Sequence, residues 1–195
     1  MKHLKIAFII LTGFLGAQAQ AVGFYFEPGV FYEKGDNDVQ WPAPLNSSTG
    51  TTKGMGVDLK LGLHFDSVVF LALDGSYSKV KFENSANNYS ADGNSTTYSA
   101  IVGGQFPVFG LRVWGGYVFG GALDPDKDGV NDVKFDDPKG LKLGVGFKIF
   151  VVSLNVEYMD VKYDKSRVEA PITADLDSKL HNKIGLVSVS FPMTF

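Results

Sequence analysis

The 195-residue chain has no cysteine. That excludes a disulfide framework, thiolate metal centres, a cysteine nucleophile and a lipid-modified N-terminal cysteine. Histidine is scarce, at three, and tryptophan scarcer, at two. Beyond residue 21 no apolar run approaches the roughly 18 residues that a membrane helix needs. Positive charge is also short: the formal net charge is −3, or −5 once Lys2 and Lys5 are subtracted. No basic patch or stripe stands out, so nucleic acid is not an expected partner.

The N-terminal residues read as a secretory leader. Lys2, His3 and Lys5 form a short basic region, and residues 6–15 are apolar apart from Thr12 and Gly13. Ala17-Gln18-Ala19 and Ala19-Gln20-Ala21 both fit a small-x-small cleavage site. Cleavage is expected after Ala19 or Ala21, leaving residues 22–195 as one exported domain. With no helix able to cross a bilayer, a membrane-spanning chain of this kind needs a closed barrel, the other way to satisfy every backbone polar group in lipid.

Phenylalanine (16), tyrosine (8) and glycine (23) are plentiful. Apolar residues recur at every second position in eight segments, near 22–32, 55–65, 68–82, 97–106, 111–121, 141–150, 152–163 and 179–195. Period-two alternation marks strands with one greasy and one polar face. The second is the clearest: Met55, Val57, Leu59, Leu61, Leu63 and Phe65 alternate with Gly56, Asp58, Lys60, Gly62 and His64. Pro28 suggests a bulge or rim bend in the first segment. Val80 and Phe82 switch parity, which suggests a bulge or a loop there. Tight links near residues 66–67, 107–110 and 150–151 alternate with long polar intervals at 33–53, 83–96, 122–139 and 164–178. Short turns at one end, long loops at the other and an even strand count are the asymmetry of an outer-membrane barrel, with both termini in the periplasm. Phe65, Phe106, Tyr117, Phe119, Phe147, Tyr158, Phe191 and Phe195 are expected in its interfacial aromatic girdles.

The last segment is distinctive. Val187, Val189, Phe191, Met193 and Phe195 alternate to the final residue. It resembles the closing strand of bacterial outer-membrane barrels, whose terminal aromatic is part of the signal read by the barrel assembly machinery; Val189, Phe191, Met193 and Phe195 are its counterparts here. Over residues 22–195 the chain resembles the small OmpA/OmpX-type and OmpW-type families. The resemblance implies an all-β fold, a transmembrane eight-stranded antiparallel up-and-down barrel. It also implies a place in the outer membrane of a Gram-negative bacterium, with outer-membrane lipid, lipopolysaccharide and the assembly machinery as partners. A monomer is expected.

Five sets of residues are weighed for candidate chemistry. Asp58, Lys60, His64, Asp74, Arg112, Lys142, Lys148 and Glu157 fall on the inward parity. An eight-stranded barrel is just wide enough for side chains to fill, and charges there must pair or stay hydrated. They form either a solid plug of ion pairs or the lining of a narrow, gated conduit. Asp124, Asp126, Asp128 and Asp132, with Gly129, follow a calcium-loop pattern of oxygen ligands around a sharp turn; the bidentate glutamate of an EF-hand is replaced by Phe135. Trp41, among Pro42 and Pro44, is expected to pack on the rim. Asn88 and Asn94 lie in glycosylation-type triplets that carry no weight in a bacterial protein. A lipid-modifying enzyme would need a histidine near a serine at the outer rim. His64 lies at the other end, and His181 has only Ser178 nearby in sequence, so no enzyme is expected. Polar inward residues argue against a hydrophobic conduit. The sequence thus points to a filled barrel that displays loops for adhesion, envelope integrity or capture of an extracellular ligand. A narrow porin-like channel is the alternative. No cofactor is expected beyond calcium at residues 124–132.

Overall fold

The computed structural model describes residues 22–44, 46–66, 68–85, 89–106, 108–126, 132–170, 173–176 and 178–195. The leader expected at residues 1–21 lies outside them. Seven long strands come first: β1 (Val22–Gln40), β2 (Ser48–Phe65), β3 (Val69–Asn84), β4 (Tyr89–Phe106), β5 (Leu111–Pro125), β6 (Asp132–Ile149) and β7 (Val152–Ala170). A short β8 (Ala174–Leu176) pairs with β7, and the closing strand is β9 (Lys179–Ser190) continued by β10 (Met193–Thr194). Each long strand pairs antiparallel with the next, and β9 pairs with both β7 and β1. The result is a closed ring of eight strands, up and down in order.

Register fixes the shape of that ring. A path through paired residues runs Met193, Phe26, Leu61, Leu73, Ala100, Tyr117, Leu141, Asp160 and Lys183. One circuit returns to the closing strand ten residues from its start, a shear of ten, which accords with a strand tilt of about 35–45°. The apolar parity faces outward along the whole path. Met55, Leu73, Leu143, Val156 and Val187 are each more than half exposed. An exposed apolar belt of this extent is a lipid-facing surface.

Three sequence expectations are corrected. β1 and β2 keep one register from Val22↔Phe65 to Val39↔Ser48, so Pro28 makes no bulge. Its missing donor falls on the side of the closing strand, where Phe191 N donates to Pro28 O (2.9 Å) and β9 gives way to β10 at Pro192. β3 likewise runs without a shift against β2. Val80 and Phe82 stay on the inward parity of Ser78, because the interior itself turns apolar there. A register shift falls instead at Tyr98/Ser99 against β5, leaving Phe119 as the extra residue.

The third correction concerns the long polar intervals, which are mostly strand. β1 continues to Gln40, β2 begins at Ser48, β4 at Tyr89, and β7 runs to Ala170. The outward face of these extensions meets water rather than lipid, so the apolar half of the alternation disappears while the ladder continues. Trp41 packs against the interior core and its Nε1 donates to Ser48 Oγ (2.8 Å). Asn94 lies within β4, its side chain accepting from Tyr77 Oη (2.6 Å); Asn88 lies outside the described residues.

Candidate functional site: a layered barrel interior

Inward residues of β1–β7 and β9 divide the interior into three layers. At the end that holds the termini and tight turns, Tyr25, Phe70, Ala72, Ile101 and Trp114 form an apolar floor. Tyr25 stacks on Phe70 (5.1 Å, 20°), and His64 stacks on Tyr25 (5.8 Å) and Phe70 (6.4 Å). Trp114 fits because Gly103 and Gly144 face it; a Cβ on either glycine would overlap Trp114 or Phe70.

The middle layer is ionic. Asp58, Lys60, Glu157, Lys142 and Asp74 form one unbroken chain of pairs. Lys60 contacts Asp58 and lies 3.3 Å from Glu157, while Lys142 lies 2.8 Å from Glu157 and 2.5 Å from Asp74. All five side chains are almost wholly buried. Arg112 forks onto Glu27, with Nη1 2.9 Å from Oε1 and Nη2 2.6 Å from Oε2. It also donates to Ser153 Oγ (3.1 Å) and the Tyr25 hydroxyl. Its guanidinium lies 5.4 Å and 5.5 Å from the Phe70 and Trp114 ring centroids, tying the ionic layer to the floor.

The third layer fills the loop end. Phe31, Val39, Val80, Phe82, Val118, Leu123, Phe135, Met159, Val161, Tyr163, Leu180, Ile184 and Leu186 make a buried apolar cluster inside the barrel. Sequence reasoning missed this layer and took the interior as polar throughout; that expectation is corrected. The gap where it meets the ions, lined by Phe31, Asp58, Lys142, Glu157 and Leu186, admits no water-sized sphere.

Of the seven interior charges named from sequence, Asp58, Lys60, Asp74, Lys142 and Glu157 come together. Arg112 turns instead to Glu27. Inward parity in β1 was sufficient to find Glu27, since Phe24, Phe26, Val30 and Tyr32 define the outward face. Lys148 stands apart near the turn end, donating to the Pro192 carbonyl (3.2 Å). Among the described residues it makes no ion pair.

In the calcium-loop pattern, Asp128 lies outside the described residues. Asp124 is the penultimate residue of β5 and is bound by Lys134 (2.9 Å), whose pKa that hydrogen bond raises. Asp126 follows β5 and Asp132 opens β6, paired in register with Ala170. No cluster of three metal-ligating side chains occurs among the described residues. His181, at the loop end, bonds Asp160 (Nε2···Oδ1 2.5 Å). Ser178 is buried and bonded to Ser166, 2.5 Å between the hydroxyls.

At the closing strand, Phe195 completes the ladder with β1: Phe24 N donates to Phe195 O (2.8 Å) and Phe195 N to Phe24 O (3.0 Å). Phe191 and Phe195 face outward, beside Phe24, Phe106 and Phe147. The opposite rim of the lipid belt carries Tyr32, Tyr77, Tyr98, Phe119 and Tyr158.

Comparison with known proteins agrees with this architecture. OprG, an outer membrane protein of Pseudomonas aeruginosa, is similar in structure with a TM-score of 0.56 at 13% identity, over 88% of this chain and 96% of that one. Neisserial surface protein A gives 0.45 at 16% identity, over 85% and 96%. Ail, the attachment invasion locus protein of Yersinia pestis, gives 0.47 at 10% identity, over 86% and 99%. No curated protein sequence matches the chain. Residues 7–191 match the outer membrane protein β-barrel domain family. With its closed ring of eight strands and its lipid-facing belt, the chain belongs to that family of Gram-negative outer-membrane barrels.

Proposed function

We propose that this protein is a filled outer-membrane barrel whose role lies in what it holds at the cell surface, in adhesion or envelope integrity, rather than in conduction or catalysis. The interior supports the reading: an aromatic floor, a paired ionic layer and an apolar core succeed one another along the axis, with no water-sized gap at the ionic–apolar junction. Any path for ions would have to break several buried pairs at once, each costly to separate. The tight turns and termini are placed in the periplasm and the loop end outside, the usual arrangement of such barrels. Phe195, with Val189, Phe191 and Met193, serves assembly. The protein works as a monomer, in contact with lipid and lipopolysaccharide. Calcium is not part of this reading, because Lys134 already occupies Asp124.

Single-channel recording in a planar bilayer tests it. A silent membrane is expected from protein whose folding is verified by heat-dependent gel mobility. Reproducible conductance steps, altered by Lys60→Gln or Glu157→Gln, would establish the narrow channel instead. A second reading has its own observation: the loop-end half of the lumen holds a large apolar cluster, with Glu33, Asn37, Asn84 and Asn182 buried among it, and suits an amphiphilic or hydrophobic compound better than an ion. Uptake of apolar solutes that falls on charging this layer, for example by Phe82→Asp, would favour that conduit.

A further inference from the structure

The outward face of β1–β3 changes character in one step at the loop end. Along each strand an apolar or aromatic residue gives way to lysine two positions on: Tyr32 to Lys34, Met55 to Lys53, and Tyr77 to Lys79. Lys81 follows Lys79 on the same parity. Lys34, Lys53 and Lys81 are Cα partners in a single row across the three strands. Like charges placed directly opposite one another repel. One carboxylate, Glu83, meets two of them, at 3.3 Å from Lys53 and 4.0 Å from Lys81. Lys34 and Lys79 make no ion pair among the described residues.

Lys53, Lys79 and Lys81 bound an open groove of about 740 Å³, lined also by Tyr32, Met55 and Asn94. Met55, 71% exposed, puts an apolar surface beside the lysines. Asp92 and Asp126 stand on its β4 side, so the field inside the groove is directional, positive toward β2 and β3.

We propose that this groove binds the phosphorylated sugar headgroup of lipopolysaccharide. Lys53, Lys79 and Lys81 meet the phosphates, Lys34 extends the positive surface, and Met55 and Tyr32 pack where sugar joins acyl chain. Three features select this occupant. The lysines begin one step above the last lipid-facing residues, the height of a headgroup. Two of the lysines share the one carboxylate of Glu83, Asp92 stands opposite Lys81, and Lys34 and Lys79 make no ion pair among the described residues. Polar and apolar walls adjoin, which fits an amphiphile better than a free anion. The assignment rests on the orientation proposed above, with the loop end outside.

The test uses protein purified from membranes in detergent, which removes orientation from the measurement. Binding of lipopolysaccharide is compared with that of the same glycolipid after dephosphorylation. The Lys53→Gln, Lys79→Gln, Lys81→Gln variant is expected to bind at least tenfold more weakly, with heat-dependent gel mobility unchanged. Wild-type protein should lose as much on dephosphorylated glycolipid. A control carrying the same charge change elsewhere, Lys165→Gln, Arg167→Gln, Lys179→Gln, should stay within twofold. Equal binding by wild type and groove variant, or equal loss in the control, would overturn the site. Full competition by millimolar inorganic phosphate would overturn the glycolipid as its occupant. Orientation is read separately, by labelling a tag inserted between Pro125 and Asp132 on intact cells. Labelling only after the outer membrane is opened would overturn the orientation and, with it, lipopolysaccharide as the ligand.

Discussion

Arg112 is the residue on which two interior layers meet. It neutralises Glu27 through a two-pronged contact and lies against Phe70 and Trp114. Removing it strands a buried carboxylate, and breaking such a pair costs about 3–5 kcal/mol. Arg112→Met should therefore lower the urea midpoint for unfolding from lipid vesicles, and adding Glu27→Gln should recover part of the loss. If the double variant were no more stable than the single one, the pair would not be the source. Gly144 presents the opposite constraint, since it must stay small for Trp114 to lie flat. Gly144→Ala should cost about 1–3 kcal/mol by overpacking, read from the same unfolding curves. Outside the lipid belt, the hydrogen bond from Lys53 holds the Glu83 carboxyl below its ordinary value of 4.5. A depressed pKa means the contact contributes above 4.5 and is lost as pH falls through the lowered value. Carbon-detected NMR should find Glu83 titrating below 4.5 in wild type and shifted back upward in Lys53→Gln.

At the scale of the strand, sequence and structure part company in an instructive way. Inside the lipid belt the two faces meet different media, and the alternation at Met55, Val57, Leu59, Leu61 and Leu63 reads plainly. Beyond it both faces of β2 carry polar or small residues, as at Thr49, Gly50, Thr51 and Thr52, and nothing in the pattern separates strand from loop. Strand ends at the tight turns were therefore legible to within a residue or two, and of the opposite ends only those of β3 and the closing strand were. The interior shows the same limit. Paired charges at Asp58, Lys60, Asp74 and Glu157 stand out on the inward parity, whereas Val80 and Phe82 looked like breaks in phase because lipid was assumed to be the only apolar surroundings. Backbone amides at residues 33–40 and 48–54 should exchange with solvent as slowly as those of the lipid belt, because they sit in a continuous ladder over a packed core. Rapid exchange from Glu33 onward would mean that the extensions are loop after all.

The whole molecule depends on one seam, between β1 and the closing strand. Its last two hydrogen bonds belong to Phe24 and Phe195. Deleting Phe195 removes both, for a cost of about 1–3 kcal/mol at roughly 1 kcal/mol per bond, too little to unfold the barrel. Cellular assembly should nonetheless fall several-fold if the terminal aromatic is recognised, so folded yield from cells and refolding yield in detergent are expected to diverge. Parallel loss of both would make the residue a structural element alone. Strand length has a consequence of its own. β1 has 19 residues, and at about 3.3 Å per residue and a tilt near 40° it rises about 45 Å, against an apolar band of about 25 Å. Some 20 Å of stiff, cored tube remains beyond the bilayer by the same estimate. A peptide grafted between β5 and β6 would ride at a set height on a mast that does not bend, cleared of short sugar chains and held in fixed spacing from its neighbours, which suits the protein to presenting foreign epitopes in register.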